Sequence, residues 1–214
     1  MTEYLYKSIS DILPDFFNSK QIKEFQSLYR SSVIDQSNSN AKKETLDKLK
    51  ISDGLTYRTQ VDLLVTYSSG RLSKEKFLSL LLYLSQVSIT SGEFATAIEI
   101  NEKIIFNTSN EKDFADISAN AYLLIGEIYS RQANWQNSFD YIQQARELFE
   151  SVNDVRGIAK CENLLGTIYG DLGDMKNAIE NFEAALGKTE EETNYIERAK
   201  IEINLGIVNN IKGL

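Results

Sequence analysis

The 214-residue sequence contains no histidine, one cysteine and one proline. Without histidine, the chain lacks the commonest general base and metal ligand of proteins. The cysteine, Cys161, has no partner for an internal disulfide, and we interpret it as a reduced structural thiol within a helix. The sequence also lacks a glycine-rich phosphate loop and a nucleophile motif. It therefore predicts a protein that is not an enzyme, with no catalytic residues, no metal site and no cofactor.

Long apolar runs and concentrated basic charge are also absent from the sequence. No segment approaches the 18 apolar residues typical of a membrane span, and the N-terminal MTEYLYKSIS does not have a signal-peptide pattern. The net charge of −8 is uneven, because residues 91–214 hold 11 Lys and Arg against 21 Asp and Glu. Nucleic-acid binding requires a clustered basic surface instead. We therefore expect a cytoplasmic protein that binds neither nucleic acid nor a membrane.

The sequence does contain a repeat, which is clearest in residues 159–187. The spacing predicts two helices there, joined by a turn and helix N-cap at Gly173-Asp174. A shift of 40 residues places Leu165-Gly166-xx-Tyr169 on Ile125-Gly126-xx-Tyr129 in one direction and on Leu205-Gly206 in the other. The same shift places Gly173 on Ala133 and on Gly213. Self-similarity at such a period is typical of stacked helical repeats.

The small and aromatic residues of the repeat have a physical explanation. A helical glycine costs about 1 kcal/mol relative to alanine, so a compensating contact is expected at each one. We interpret the glycines as sites of close approach between the two helices, with the tyrosines filling the wedge between them. The predicted structural repeat positions are Gly126, Tyr129, Gly166, Tyr169, Ala178, Phe182, Ala185 and Gly206.

These motifs resemble the tetratricopeptide repeat (TPR), whose first helix carries L-G-xx-Y and whose second carries A…F..A. The usual repeat has about 34 residues. The period of 40 or 41 here is similar to the long-repeat variant of kinesin light chains and some bacterial signalling regulators. The resemblance implies an all-α fold, namely a right-handed αα superhelix (TPR solenoid) with a helical N-terminal cap. It covers roughly residues 74–214 and is most specific over 115–187.

The resemblance also implies a division of the chain. Residues 1–72 are predicted to be a helical N-terminal region that caps the solenoid, although 56–90 can also be interpreted as a divergent repeat pair. The polar residues 36–43 predict a loop or a disordered link. The remaining residues 73–214 are predicted to hold repeats at 73–113, 114–153 and 154–193, and a half repeat at 194–214. The half repeat lacks its second helix, so we expect a longer natural chain or another molecule covering the last helix, with self-association as one form of cover.

By the same resemblance, the first helices line a concave groove that binds a protein or peptide partner. Arg131, Lys160 and Lys200 are then expected to meet an acidic partner, and Asn120 and Asn163 to hydrogen-bond an extended peptide. The predicted groove residues are Asn120, Glu127, Arg131, Lys160, Asn163, Thr167, Asp171 and Lys200. The predicted function is non-catalytic protein–protein interaction within a larger protein. The alternative is a peptide- or ligand-responsive regulatory domain of a signalling protein.

Overall fold

The computed structural model describes residues 11–41, 56–109, 111–189 and 195–213, and all the regular structure in these ranges is helical. The chain forms two compact units, Met1–Thr96 and Ala97–Leu214. The first unit contains α1 (Ser19–Ala41), α2 (Tyr57–Ser68) and α3 (Lys74–Thr90), and the unit boundary falls within α4 (Phe94–Thr108). The second contains a 3₁₀ turn (Lys112–Phe114), α5 (Ala115–Arg131), α6 (Trp135–Ser151), α7 (Val155–Asp171), α8 (Met175–Leu186) and α9 (Tyr195–Lys212).

An aromatic cluster around Tyr67 of α2 forms part of the core of the first unit. The centroid of its ring lies 5.6 Å from that of Phe17 and 5.3 Å from that of Phe25. Such tilted pairs contribute about 0.5–1.5 kcal/mol each beyond the burial of their surface. A buried hydrogen bond joins α2 to α3, in which the Tyr57 hydroxyl donates to Ser88 Oγ over 2.9 Å. Side-chain contacts of this kind join α1, α2 and α3.

The loop predicted over residues 36–43 is wrong for residues 36–41, which form the end of α1. Residues 42 and 43 lie outside the described ranges. Serine and asparagine disfavour a helix by only about 0.5 kcal/mol each relative to alanine. A polar stretch can therefore continue a helix that is already formed, and composition alone is a weak predictor of where the helix ends.

The helices of the second unit pair as two hairpins, α5 with α6 and α7 with α8. The turns contain Ala133 and Gly173, the residues aligned by the 40-residue shift, and both have left-handed backbone, with φ of 55° and 80°. This conformation strains alanine but not glycine. The following residues, Asn134 and Asp174, cap the next helix by accepting a hydrogen bond from the N–H three residues on. The turn and N-cap predicted at Gly173-Asp174 are therefore confirmed.

Two of the three repeat glycines lie at close helix contacts. A Cβ placed on Gly126 would lie 3.0 Å from Cγ1 of Ile142, and one on Gly166 would lie 2.7 Å from the ring of Phe182. The predicted close approach is confirmed at these positions. At Gly206 a Cβ would have no heavy atom within 4 Å. The interpretation is wrong there, because no helix in the described part of the chain packs on that side of α9.

Two further contacts join the helices of this unit. Ser138 takes the position of Ala178 in the α5–α6 hairpin, and its buried Oγ donates a 2.7 Å hydrogen bond to the carbonyl oxygen of Gly126. Gly157, in the first turns of α7, lies directly against Phe149 of α6, so that a Cβ there would be 2.2 Å from the ring. This glycine fixes how closely the second hairpin approaches the first.

An ion pair with a buried carboxylate crosses the same junction between the hairpins. Arg146 of α6 lies 3.1 Å from Glu162 of α7, whose side chain is only 6% exposed. A carboxylate can be buried at low cost only with such a partner. Beside it, burial raises the pKa of the Cys161 thiol to about 12, and the negative charge of Glu162 adds to this increase. Cys161 is therefore a neutral packing residue, as its helical context predicts.

The repeat tyrosines fill different gaps. Tyr129 lies 5.5 Å from Tyr141, between centroids, within its own hairpin. Tyr169 lies 5.5 Å from Phe139 of the preceding hairpin. Burial raises the pKa of Tyr141, and its proximity to Tyr129 adds to the effect. The aromatic residues thus connect consecutive hairpins as well as the two helices of one hairpin.

Candidate functional site

The first helices of the repeats, α5, α7 and α9, lie side by side in the second unit. Asn204 of α9 donates a 3.1 Å hydrogen bond to Oδ1 of Asn163 of α7. Gly170 of α7 also faces Val208 of α9. A Cβ placed on Gly170 would lie 3.6 Å from Cγ2 of Val208. We call the predicted groove residues on these helices the first-helix row: Asn120, Glu127, Arg131, Lys160, Asn163, Thr167, Asp171 and Lys200.

Residues of the row that are 40 positions apart occupy equivalent places on neighbouring helices. The first such set contains Asn120, Lys160 and Lys200. Asn120 is half-buried and donates a 2.8 Å hydrogen bond to the carbonyl oxygen of Asp116 in its own helix. Lys160 is exposed, and Lys200 is exposed with a weak 3.5 Å contact to Glu197. Two accessible ammonium groups therefore occupy the same level of adjacent helices.

Arg131 is less available than the two lysines. Its guanidinium forms an ion pair of 2.8 Å with Glu127, one helical turn earlier. Exposed pairs at this spacing contribute about 0.3–0.5 kcal/mol. An acidic partner would have to compete with a carboxylate that is already bound. The structure thus joins two of the predicted residues to each other.

The remaining members of the row lie on α7. Asn163 is engaged with Asn204 of α9. Thr167 donates a 3.0 Å hydrogen bond to the carbonyl oxygen of Asn163, within its own helix. Asp171, at the end of the helix, is exposed. Only part of this predicted polar surface is therefore accessible to a ligand, and Asn163 would have to release Asn204 to bind a peptide.

The sequence predicted that the last helix needs a cover, but it was not used to name the apolar residues that α9 exposes. Ile207 and Ile211 occupy the positions of Thr167 and Asp171 one repeat later, and both are exposed, by 54% and 64%. A position-by-position comparison of the three first helices shows this change from polar to apolar residues, so the signal is present in the sequence. The accessible lysines and these isoleucines are the main chemical features of the first helices.

In the described part of the chain, the Cys, Asp and Glu residues do not form a group of three or more that could hold a metal ion. In the same part of the chain, each helix is too short or too polar to span a bilayer.

Antiparallel helix pairs joined by left-handed turns, with their first helices in one row, define a helical-repeat protein. In agreement, residues 117–191 match the family model of the tetratricopeptide repeat. The predicted resemblance is confirmed, and this part of the chain consists of tetratricopeptide repeats. Such repeats generally mediate protein–protein interaction.

Solved structures support the same fold over most of the chain. The crystal structure of BtubC (BKLC) from P. vanneervenii matches with a TM-score of 0.60 and 16% sequence identity, over 91% of this chain and 81% of that chain. At this identity, the similarity concerns the fold alone. No curated protein sequence matches the chain. The predicted all-α solenoid is confirmed, whereas the repeat boundaries and the role of residues 1–72 as a cap remain predictions.

Proposed function

We propose that the chain is a non-catalytic module of a larger protein, and that it binds a protein or peptide partner along the first-helix row. The observation that carries this proposal is the pair of accessible lysines, Lys160 and Lys200, at equivalent positions on neighbouring first helices. They lie in a unit whose sequence, residues 97–214, holds 11 basic and 20 acidic residues. Two adjacent cations in an otherwise acidic unit favour a partner with acidic side chains.

The chemistry of the row also determines how such a partner would bind. Exposed lysine–carboxylate pairs contribute about 0–1 kcal/mol each, so they provide orientation and a faster association rate more than affinity. Most of the affinity would come from packing against the half-buried residues between the lysines and the helix ends, such as Thr167. We therefore expect moderate affinity that decreases as salt rises.

Reversing the charges of Lys160 and Lys200 should strongly reduce partner capture. In lysate of the source cells, the double variant Lys160→Glu/Lys200→Glu used as bait should lose the dominant partner of the parent chain by at least about tenfold, because two attractive contacts become repulsive. The measurement is quantitative mass spectrometry of the bound proteins at low and high salt.

The matched control is Lys103→Glu/Lys176→Glu. It makes the same change in net charge at exposed lysines on α4 and α8, outside the first-helix row. Retained capture by the control and lost capture by the row variant are expected. Equal capture by all three baits would contradict the assignment of the binding surface.

The regulatory alternative remains a prediction with a different test. If a small peptide or ligand closes the repeats, its addition should reduce the radius of gyration in small-angle scattering. The expected cytoplasmic location is likewise a prediction. Self-association through the last helix is a separate property, because it would use the apolar face of α9 rather than the lysines of the row.

A further inference from the structure

The last helix carries a ridge of apolar residues that the described chain leaves uncovered. Ala199, Ile203, Ile207 and Ile211 follow one another at intervals of four residues, and all four are exposed. For example, 62% of the surface of Ile203 is exposed. Residues at this spacing form one of the rows along which helices interdigitate. The geometry of the surface is therefore that of a helix-packing face, and a helix is the occupant that fits it.

The repeats themselves show what covers this part of a first helix. Leu123 of α5, which is equivalent to Ile203, is 9% exposed and belongs to the same apolar cluster as Cys161 of the next first helix. Asn163 occupies this position on α7 and bonds to α9. Within the stack, the position of Ile203 is thus a contact with a neighbouring helix. Gly206 adds open space for the close approach of another backbone.

We propose that the occupant is α9 of a second copy of this chain, packed antiparallel across a two-fold axis near residue 205. This operation places Ile203 against Ile207 of the second copy, and Ala199 against Ile211 of the second copy. A two-fold interface requires such a self-complementary surface. The ridge meets this requirement, because the two-fold axis places its small residue, Ala199, against a large one, Ile211, of the second copy.

Charge also favours α9 as the meeting point of two copies. Residues 97–214 carry a net charge of −9, so two copies repel each other over most of this unit. Helix α9 is an exception, with Glu197 and Glu202 against Arg198, Lys200 and Lys212 in its sequence. Two copies can approach there without bringing acidic surfaces together. Added salt should therefore leave this association unchanged or strengthen it, whereas it should weaken partner binding by the lysines.

The size of the patch sets the expected strength. The pairing about residue 205 joins one alanine and three isoleucines of each copy. So few side chains form a small interface, and their packing must also offset the entropy lost on association. We therefore expect a weak, reversible dimer with a Kd of about 10–100 μM.

Sedimentation velocity of the whole chain, from about 1 to 500 μM, tests this proposal without any partner. The parent should change from monomer to dimer across this range, with half of the chains paired near the Kd. Ile203→Glu/Ile207→Glu should remain monomeric at every concentration, because it places four carboxylates in the apolar contact. Both residues are exposed in the single chain, so the variant should retain the ellipticity of the parent, which serves as the test of folding.

The matched control is Val155→Glu/Leu172→Glu. It makes the same charge change at exposed apolar residues at the two ends of α7, away from the ridge. It should dimerise like the parent. A parent that stays monomeric up to 500 μM, or a dimer that persists in the ridge variant, would overturn the proposal and assign the ridge to a helix of another protein or of a longer chain. Neither result would affect the test of the lysine pair.

Discussion

Replacing Gly157 with alanine should lower the free energy of unfolding by about 3 kcal/mol, at the upper end of the usual cost of overpacking. The added methyl carbon would lie 2.2 Å from the ring of Phe149, which is fully buried between α6 and α7. A buried ring cannot move aside, so the second hairpin would have to shift. Thermal unfolding followed by ellipticity should show a Tm lower by about 6–12 °C for a chain of this size.

The control is the same substitution at Gly170 in the same helix. A Cβ there would make an ordinary 3.6 Å contact with Val208. Gly170→Ala should therefore raise stability by up to about 1 kcal/mol through helix propensity. Equal effects of the two substitutions would show that Gly157 is not a close contact between the hairpins.

Alanine substitutions at Gly166 and Gly206 should have opposite effects, although the two glycines are equivalent in the repeat. Gly166→Ala places a methyl carbon 2.7 Å from the ring of Phe182, and should cost about 2 kcal/mol. Gly206→Ala meets no atom within 4 Å, and should stabilise the chain by about 0.5–1 kcal/mol. Chemical denaturation of both variants measures the difference.

A double variant identifies the origin of the cost at Gly166. Combined with Phe182→Leu, Gly166→Ala should be much less destabilising, because the ring that it would strike is gone. If Gly206→Ala destabilises the monomeric chain, at concentrations below the Kd of the proposed dimer, as strongly as Gly166→Ala does, then a helix of the same chain covers α9, and the interpretation of its open face is wrong.

The repeat architecture could be predicted from the sequence because its signals are local and recur. The spacing of Leu165, Gly166 and Tyr169 fixes the face of a first helix, and the alignment of Gly173 with Ala133 identifies a turn even where alanine replaces glycine. Each signal appears in at least two copies, so one copy supports the other. The same logic predicted that Gly126 and Gly166 lie at helix contacts, and it failed at Gly206, where no atom of the described residues lies within 4 Å of a Cβ.

Contacts that occur only once could not be predicted. The positions equivalent to Gly157 in the neighbouring repeats hold Ile117 and Glu197. The repeat pattern therefore gives no indication that Gly157 contacts Phe149. The ion pair between Arg146 and the buried Glu162 joins two hairpins, at a sequence spacing of 16 residues that no contact within a single helix would suggest. Such contacts depend on how whole hairpins pack, which is a property of the tertiary structure.

The candidate site was predictable only in part. The placement of Lys160 and Lys200 on equivalent faces follows from the period. The pairing of Glu127 with Arg131 could have been predicted from their spacing of four residues, and it lowers the expected contribution of Arg131 to binding. The hydrogen bond between Asn163 and Asn204 joins two helices, so it required the structure.

Site-specific photo-crosslinking tests most directly whether partners bind along the first-helix row. A photoreactive amino acid replaces Asp171 of α7 in one variant and Glu180 of α8 in another, since both positions are exposed but only Asp171 belongs to the row. After irradiation in lysate of the source cells, the predicted result is a discrete adduct from position 171 that disappears with Lys160→Glu/Lys200→Glu. An adduct from position 180, with none from position 171, would contradict the proposed function.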